Sequence, residues 1–126
     1  MAYVGQVRQW DLFWADLDPV VGSEQAGNSR PVLVVSNTVF NTRFRIVTIL
    51  PLTKVEGKQR QVYAFEVEVP GDLVGNEYTS IILPYQIRTI AKERLLDKIG
   101  TLKDENIRYA VECRILDHLG IQFEND

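Results

Sequence analysis

The chain is poor in the side chains that polar catalysis and metal binding most often use. Among its 126 residues there is one cysteine, Cys113, and one histidine, His118. A single cysteine excludes an internal disulfide and a cysteine-based zinc site. A single histidine excludes a ribonuclease mechanism built on a histidine pair and speaks against a Ser-His-Asp triad. The carboxylates are scattered, so neither a metal nor a cofactor is expected. No apolar run approaches bilayer length and no signal-peptide pattern opens the sequence, so no membrane association and a cytoplasmic location are the expectations. What remains is ordinary: 45% hydrophobic and 25% charged residues, enough for one globular domain over residues 1–126.

Net charge is small overall and uneven along the chain. The formal net charge is -3, which argues against nucleic acid. The distribution argues the other way. From Arg30 to Arg60 the cations are Arg30, Arg43, Arg45, Lys54, Lys58 and Arg60, and the only anion is Glu56. Such a stretch can be a solvated face, or a local patch for a polyanion on an otherwise acidic surface.

The most informative stretch is GSEQAGNSRPVLVVSN, Gly22 to Asn37. Its first half is small and polar and reads as a loop. Val32 to Val35 follows as an unbroken aliphatic run, the pattern of a strand buried on both faces. Arg30 stands at the junction, a permanent cation at a strand start beneath a loop, suited to a phosphate. The glycine spacing imitates a nucleotide-binding loop, but Asn28 replaces the lysine, and a strand, not a helix, follows.

Met1 to Gln9 reads as a flexible arm. Strands are expected over Trp10–Ala15, Pro31–Ser36, Phe44–Leu52, Val62–Val69 and Ser80–Leu83, the last running on toward Ile87. Asn37–Thr42 reads as a connection. Pro51 places its strand near an edge or a bulge, and Glu66 and Glu68 would face one side. A short helix over Ala91–Leu96 and a short strand over Lys98–Leu102 follow. Thr101 to Asp104 has the form of a helix cap, and the helix runs to Leu119 with Gly120 as its stop. Ile107, Ala110, Val111, Ile115 and Leu119 share its apolar face, with His118 beside them as a core histidine. Trp10 and Trp14 share a strand face and read as core or interface residues. The sum is a mainly β fold, a small curved antiparallel sheet packed by helices.

Three blocks then carry a resemblance: WDLFWADLDPVVGSEQAGNSRPVLVVSN, VTILPLT and LPYQIRTIAKERL. In this order they resemble the MazF/PemK toxins of bacterial toxin–antitoxin systems. The resemblance implies an SH3-like barrel with added helices, a homodimer, and metal-independent cleavage of single-stranded mRNA at short sequences. It implies 2′,3′-cyclic phosphate and 5′-hydroxyl ends, and a MazE-like antitoxin whose disordered tail covers the RNA site. Arg30 and Thr53 match the catalytic pair of one branch of the family. Glu24 lies in the RNA-contacting loop with Ser23 and Gln25. Gln86, Arg88 and Thr89 match the QIRT segment near the site. Asn37, Arg43, Lys54, Lys58 and Arg60 complete the expected RNA-binding set. Another branch uses a loop histidine with an arginine and an aspartate before the QxRT glutamine. Ser23, Leu83 and Tyr85 stand there, so that acid–base arrangement is absent.

The chemistry fits these residue types. RNA can be cut by its own 2′-hydroxyl, given alignment, a proton acceptor, charge stabilisation and a proton for the leaving oxygen. A guanidinium offers five donors for phosphate oxygens, and a threonine hydroxyl can add one more. Glu24 is the loop's only carboxylate and the candidate for positioning or accepting the 2′ proton. Each has a plainer reading: Arg30 as a surface ion pair, Thr53 as a turn residue, Arg88 as a loop brace. The alternative function, from another class, is a toxin of the same fold that binds and poisons DNA gyrase without cutting anything.

Overall fold

The computed structural model describes residues 2–18, 29–55, 61–71 and 79–122. Among them seven strands form one sheet: β1 (Asp11–Ala15), β2 (Arg30–Val34), β3 (Ile46–Lys54), β4 (Val67–Val69), β5 (Ser80–Ile82), β6 (Arg88–Ala91) and β7 (Leu95–Thr101). Two α-helices accompany them, α1 (Thr38–Arg43) and α2 (Glu105–Leu119). The strand order is β4-β5-β3-β2-β1-β7, with β6 pairing on β3 beside β5, and every pair is antiparallel. Strands β6 and β7 are joined by the short turn Lys92–Arg94 but share no ladder among the described residues, so the curved sheet is not closed.

Alternation along β1, β2 and β3 builds two cores, one on each face. Phe13, Ala15, Val32, Val34, Val47 and Ile49 line one face with Val7, Leu17, Ile90 and Leu95. Leu12, Leu33, Leu50 and Leu52 line the other with Val67, Val69 and Ile82. Helix α2 covers this second face through Val111, with Ile107, Ala110 and Ile115 around it. The run Val32 to Val34 is therefore buried on both sides, as its unbroken hydrophobicity requires. Each fully buried side chain of this kind contributes roughly 1.5–3 kcal/mol.

Pro51 lies in an interior strand, not at an edge. It pairs with Val32 on one side. On the other side β3 changes partner, from β6 at Ile46–Ile49 to β5 at Leu52–Lys54. The Pro51 carbonyl accepts from Leu83 N–H at 3.0 Å. A strand residue presents its N and O to the same side, so proline forfeits the reciprocal bond to the Leu83 carbonyl, which instead accepts from Gln86 N–H at 3.0 Å.

Other segments depart from the pattern of their sequence. The arm is docked: Val7 is buried, Tyr3 meets Phe13 edge-on at 4.7 Å, and Tyr3 N–H donates to Leu95. Asn37 starts α1 by accepting from Phe40 N–H at 2.8 Å, a side-chain cap in what reads as a connection. Only Val67–Val69 of the expected fourth strand is extended. Tyr63–Glu66 is a turn, so Glu66 is buried while Glu68 is exposed. Pro84–Gln86 is a 3₁₀ turn that interrupts the expected continuous strand, as proline at a helical start favours. Residues Lys92–Arg94 form one turn of 3₁₀ helix, shorter than the helix expected there. Asp104, not Thr101, caps α2 by accepting from Ile107 N–H at 3.0 Å. The Thr101 hydroxyl instead donates to the buried Asp11 at 2.8 Å. His118 and Leu119 are exposed, because the last turn of α2 runs past the edge of the core. Gly120 ends it at φ 69°, a left-handed conformation that glycine adopts without strain.

Candidate active site

Arg30 opens β2 and Thr53 stands next to the end of β3. These strands pair Val34 with Ile49, Leu33 with Leu50 and Val32 with Pro51. The same register continued by two residues sets Arg30 opposite Thr53. Directly opposed residues of an antiparallel pair project from the same face, with Cα atoms about 5 Å apart. Residues 23 positions apart in sequence are thereby brought to one face of the sheet.

The row extends both ways. Arg30 pairs with Ala15, Thr53 with Ile81, and Ile81 with Glu68. Ala15, Arg30, Thr53, Ile81 and Glu68 therefore share one face, the face of Val32 and Ile49. Ala15 and Ile81 are fully buried, Arg30 and Thr53 half-buried, and Glu68 exposed. An apolar floor with a cation and a hydroxyl at its centre and a carboxylate at its margin can hold an anionic group against fixed donors.

The QIRT segment approaches from the neighbouring strand. Arg88 pairs with Ile49, which puts it on the same face as Arg30 and Thr53. Its Nη1 lies 3.5 Å from the Leu17 carbonyl, a long contact. Arg94 donates from Nη1 to the Asp16 carbonyl at 3.1 Å and also to the Asp18 carbonyl. Asp18 N–H closes the stretch onto the Asp16 carboxylate at 3.0 Å. Two guanidinium groups thus brace Asp16–Asp18, from which the chain departs into residues 19–28. Half-buried Gln86 belongs to the turn that packs on β3 and α2. The Thr89 hydroxyl lies 2.9 Å from that of Thr48, and by alternation it points away from Arg88.

The other expected RNA contacts divide by place. Lys54 follows Thr53 and pairs with Ser80, so it projects from the opposite face. Asn37 and Arg43 belong to the cap and last turn of α1, beyond the far end of β2 from Arg30. Asn37 spends its side-chain oxygen on the cap. Ser23, Glu24, Gln25, Lys58 and Arg60 lie outside the described residues. Among the described residues, no three His, Cys, Asp or Glu side chains gather as a possible metal site.

The sequence alone did not disclose Glu66 and Arg94. Glu66 is 4% exposed and accepts from Tyr85 Oη at 2.6 Å and from Tyr63 N–H at 3.1 Å. The signal available was the tyrosine at 85, where another branch of the family has aspartate. Arg94 carried no signal, because its partners are backbone carbonyls.

Comparison with known proteins bears on this arrangement. The family described as PemK-like, MazF-like toxin of type II toxin–antitoxin system matches residues 8–114. Endoribonuclease EndoA of Bacillus subtilis (strain 168) is 46% identical over 99 residues, covering 79% of this chain and 83% of that protein. Among solved structures, MazF from Deinococcus radiodurans superposes with a TM-score of 0.77 at 22% identity, covering 94% of this chain and all of that one. An endoribonuclease in complex with its cognate antitoxin from Mycobacterial species gives a TM-score of 0.72 at 19% identity, covering 96% of this chain and 100% of that one. The structural likenesses establish the fold. The family match runs through β1, β2 and β3, which carry Arg30 and Thr53, and by it and the likeness to EndoA the chain belongs to the PemK-like, MazF-like toxins of type II toxin–antitoxin systems.

Proposed function

We propose that the chain is the toxin of such a pair and acts as a metal-independent endoribonuclease on single-stranded RNA, cutting messenger RNA at short sequences. It works in the cytoplasm as a homodimer and is held inactive by a cognate MazE-like antitoxin. The relatives' names, endoribonuclease EndoA and an endoribonuclease bound to its cognate antitoxin, support the reading. The observation that carries it is the register of β2 on β3, which, continued two residues past the pair Val32 and Pro51, brings Arg30 and Thr53 to one face of the sheet.

In the reaction the 2′-oxygen attacks the adjacent phosphorus in line. The bond from phosphorus to the 5′-oxygen breaks, leaving a 2′,3′-cyclic phosphate and a 5′-hydroxyl. Negative charge grows on the phosphoryl oxygens, where Arg30 donates two N–H groups and Thr53 its hydroxyl. The 2′ proton must leave and the 5′-oxygen must gain one. Glu24 is the candidate for positioning or accepting the first. Arg88 and Arg94 act at one remove, by fixing the base of the stretch that carries Glu24.

The test is incubation of purified protein with a long RNA in excess EDTA, followed by mapping of the new 5′ ends. Cleavage is expected to persist, with 5′-hydroxyl ends at a recurring short sequence. Strict dependence on a divalent ion contradicts the mechanism. Inhibition of DNA gyrase with intact RNA favours the poison of the same fold.

A further inference from the structure

Aromatic side chains collect at one place outside the Arg30–Thr53 row. Tyr63 and Phe65 stack nearly parallel, 9° apart with centroids at 5.6 Å, and Tyr85 meets Phe65 edge-on at 5.3 Å and 81°. Tyr63 is 49% exposed and Phe65 53%. Beneath them Glu66 is buried, one carboxylate oxygen on Tyr63 N–H and the other on Tyr85 Oη. Core building ordinarily does the reverse, covering the rings and leaving the carboxylate in water. Here a desolvated carboxylate ties the 63–66 turn to the Pro84–Gln86 turn, and the rings face outward on a fixed base.

The position connects this surface to the site. Glu66 stands two residues before Glu68, a member of the Arg30–Thr53 row. Tyr85 is followed at once by Gln86 and then Arg88. Ordinary strand spacing and rise put the turn on the order of 12 Å from Thr53. The sequence that leads into it from β3 carries Lys54, Lys58 and Arg60. Exposed stacked rings are what single-stranded nucleic acid uses for its bases, each of which has a π-face.

We propose that Tyr63 and Phe65 form a stacking platform for a base of the RNA, flanking the position of cleavage. The proposal rests on the endoribonuclease reading and adds a second point of attachment. Every base has a π-face, so the platform contributes affinity and leaves sequence choice to other contacts.

The probe is an RNA with the mapped cleavage sequence, its target 2′-hydroxyl removed, and 2-aminopurine placed at each flanking position in turn. With the intact protein, fluorescence is expected to be quenched at one position. In the double variant Tyr63→Ala, Phe65→Ala that quench is lost and affinity falls roughly tenfold or more. An abasic residue at the quenched position weakens the intact protein to the same level and changes nothing in the variant. Both rings are half exposed, so circular dichroism should show the variant folded. Phe65→Leu keeps apolar volume without a flat ring and should still lose most of the quench.

Unchanged affinity and quench in the double variant overturn the proposal. So does a loss confined to dimerisation or to binding of an antitoxin peptide, which makes the surface protein-facing. If the protein never cuts RNA, the endoribonuclease reading fails, and a quench of 2-aminopurine in an unstructured RNA of mixed sequence that is lost in the double variant would keep the rings as a base-stacking surface without a cleavage position to flank. If it cuts normally with no quench at any position, the platform alone fails. If it binds no RNA, both fail.

Discussion

The two ends of the β2–β3 ladder share one register and one sheet face, yet they do opposite work. At one end Val34, Val32, Val47 and Ile49 are fully buried beneath Phe13, Ile90 and Leu95. At the other end the same alternation arrives at Arg30 and Thr53, both half-buried. The core end supplies rigidity. The open end uses it, because side chains on a packed ladder hold their separation without help from a loop. The apolar lid stops there, and continuing the strands beyond it brings a cation and a hydroxyl to the margin of the core.

The sharpest way to break this comparison is at the open end. Arg30→Ala should lower single-turnover cleavage by roughly 10²–10³ while weakening RNA binding far less. Arg30→Lys keeps the charge but loses the planar fork, and should restore only part of the rate. If the whole defect appears as weaker binding, Arg30 is a docking residue and the ends differ only in exposure.

The core end should answer in stability. Ile49→Ala leaves a cavity at a fully buried position and should reduce unfolding free energy by about 2–5 kcal/mol in urea titrations. Cleavage per folded molecule should stay close to that of the parent. A large fall in that quantity would show that the ends are coupled through β3 rather than divided in labour.

Thr53 tests the finer half of the pair. Thr53→Val keeps the shape and removes the donor, and should slow cleavage by roughly tenfold to a hundredfold. Thr53→Ser keeps the hydroxyl and should do better, with little change in melting temperature for either. Equal rates for the serine and valine variants would remove the hydroxyl from the mechanism.

The smallest effect is expected at Lys54, next in sequence but on the opposite face. If it touches an RNA phosphate, Lys54→Gln should flatten the log–log dependence of binding on salt by about 0.7. An unchanged slope assigns Lys54 to solvent.

Much of this division was legible in the sequence, and its limits have physical causes. The double-sided burial of Val32–Val34 follows from unbroken hydrophobicity. Arg30 and Thr53 stood out by residue type, position and family resemblance. That they face each other depends on register, which no local pattern encodes. Glu66 was misplaced because VYAFEVEV alternates like a strand throughout. A buried tyrosine–carboxylate bond from outside the segment bends its first half into a turn. His118 kept helical periodicity with the core, but periodicity cannot tell where the sheet beneath a helix ends. Asn37 has the right chemistry for a cap, yet six residues of helix is too short a run for an apolar stripe to announce it.

Strand β1 has one neighbour close by in sequence and one near the end of the chain. On the ribosome β1 and β2 emerge together, but β7 is added only some eighty residues after β1. Until then the outer edge of β1 offers unpaired amides to any other strand, a hazard for a growing chain. The same delay applies to Asp16–Asp18, whose braces come from Arg88 and Arg94. Arg30 and Thr53 can meet as soon as β3 is made, while the segment leading to their loop stays unbraced until residue 94 has been added. The order of synthesis therefore brings β2 and β3 together well before the braces of Asp16–Asp18 exist.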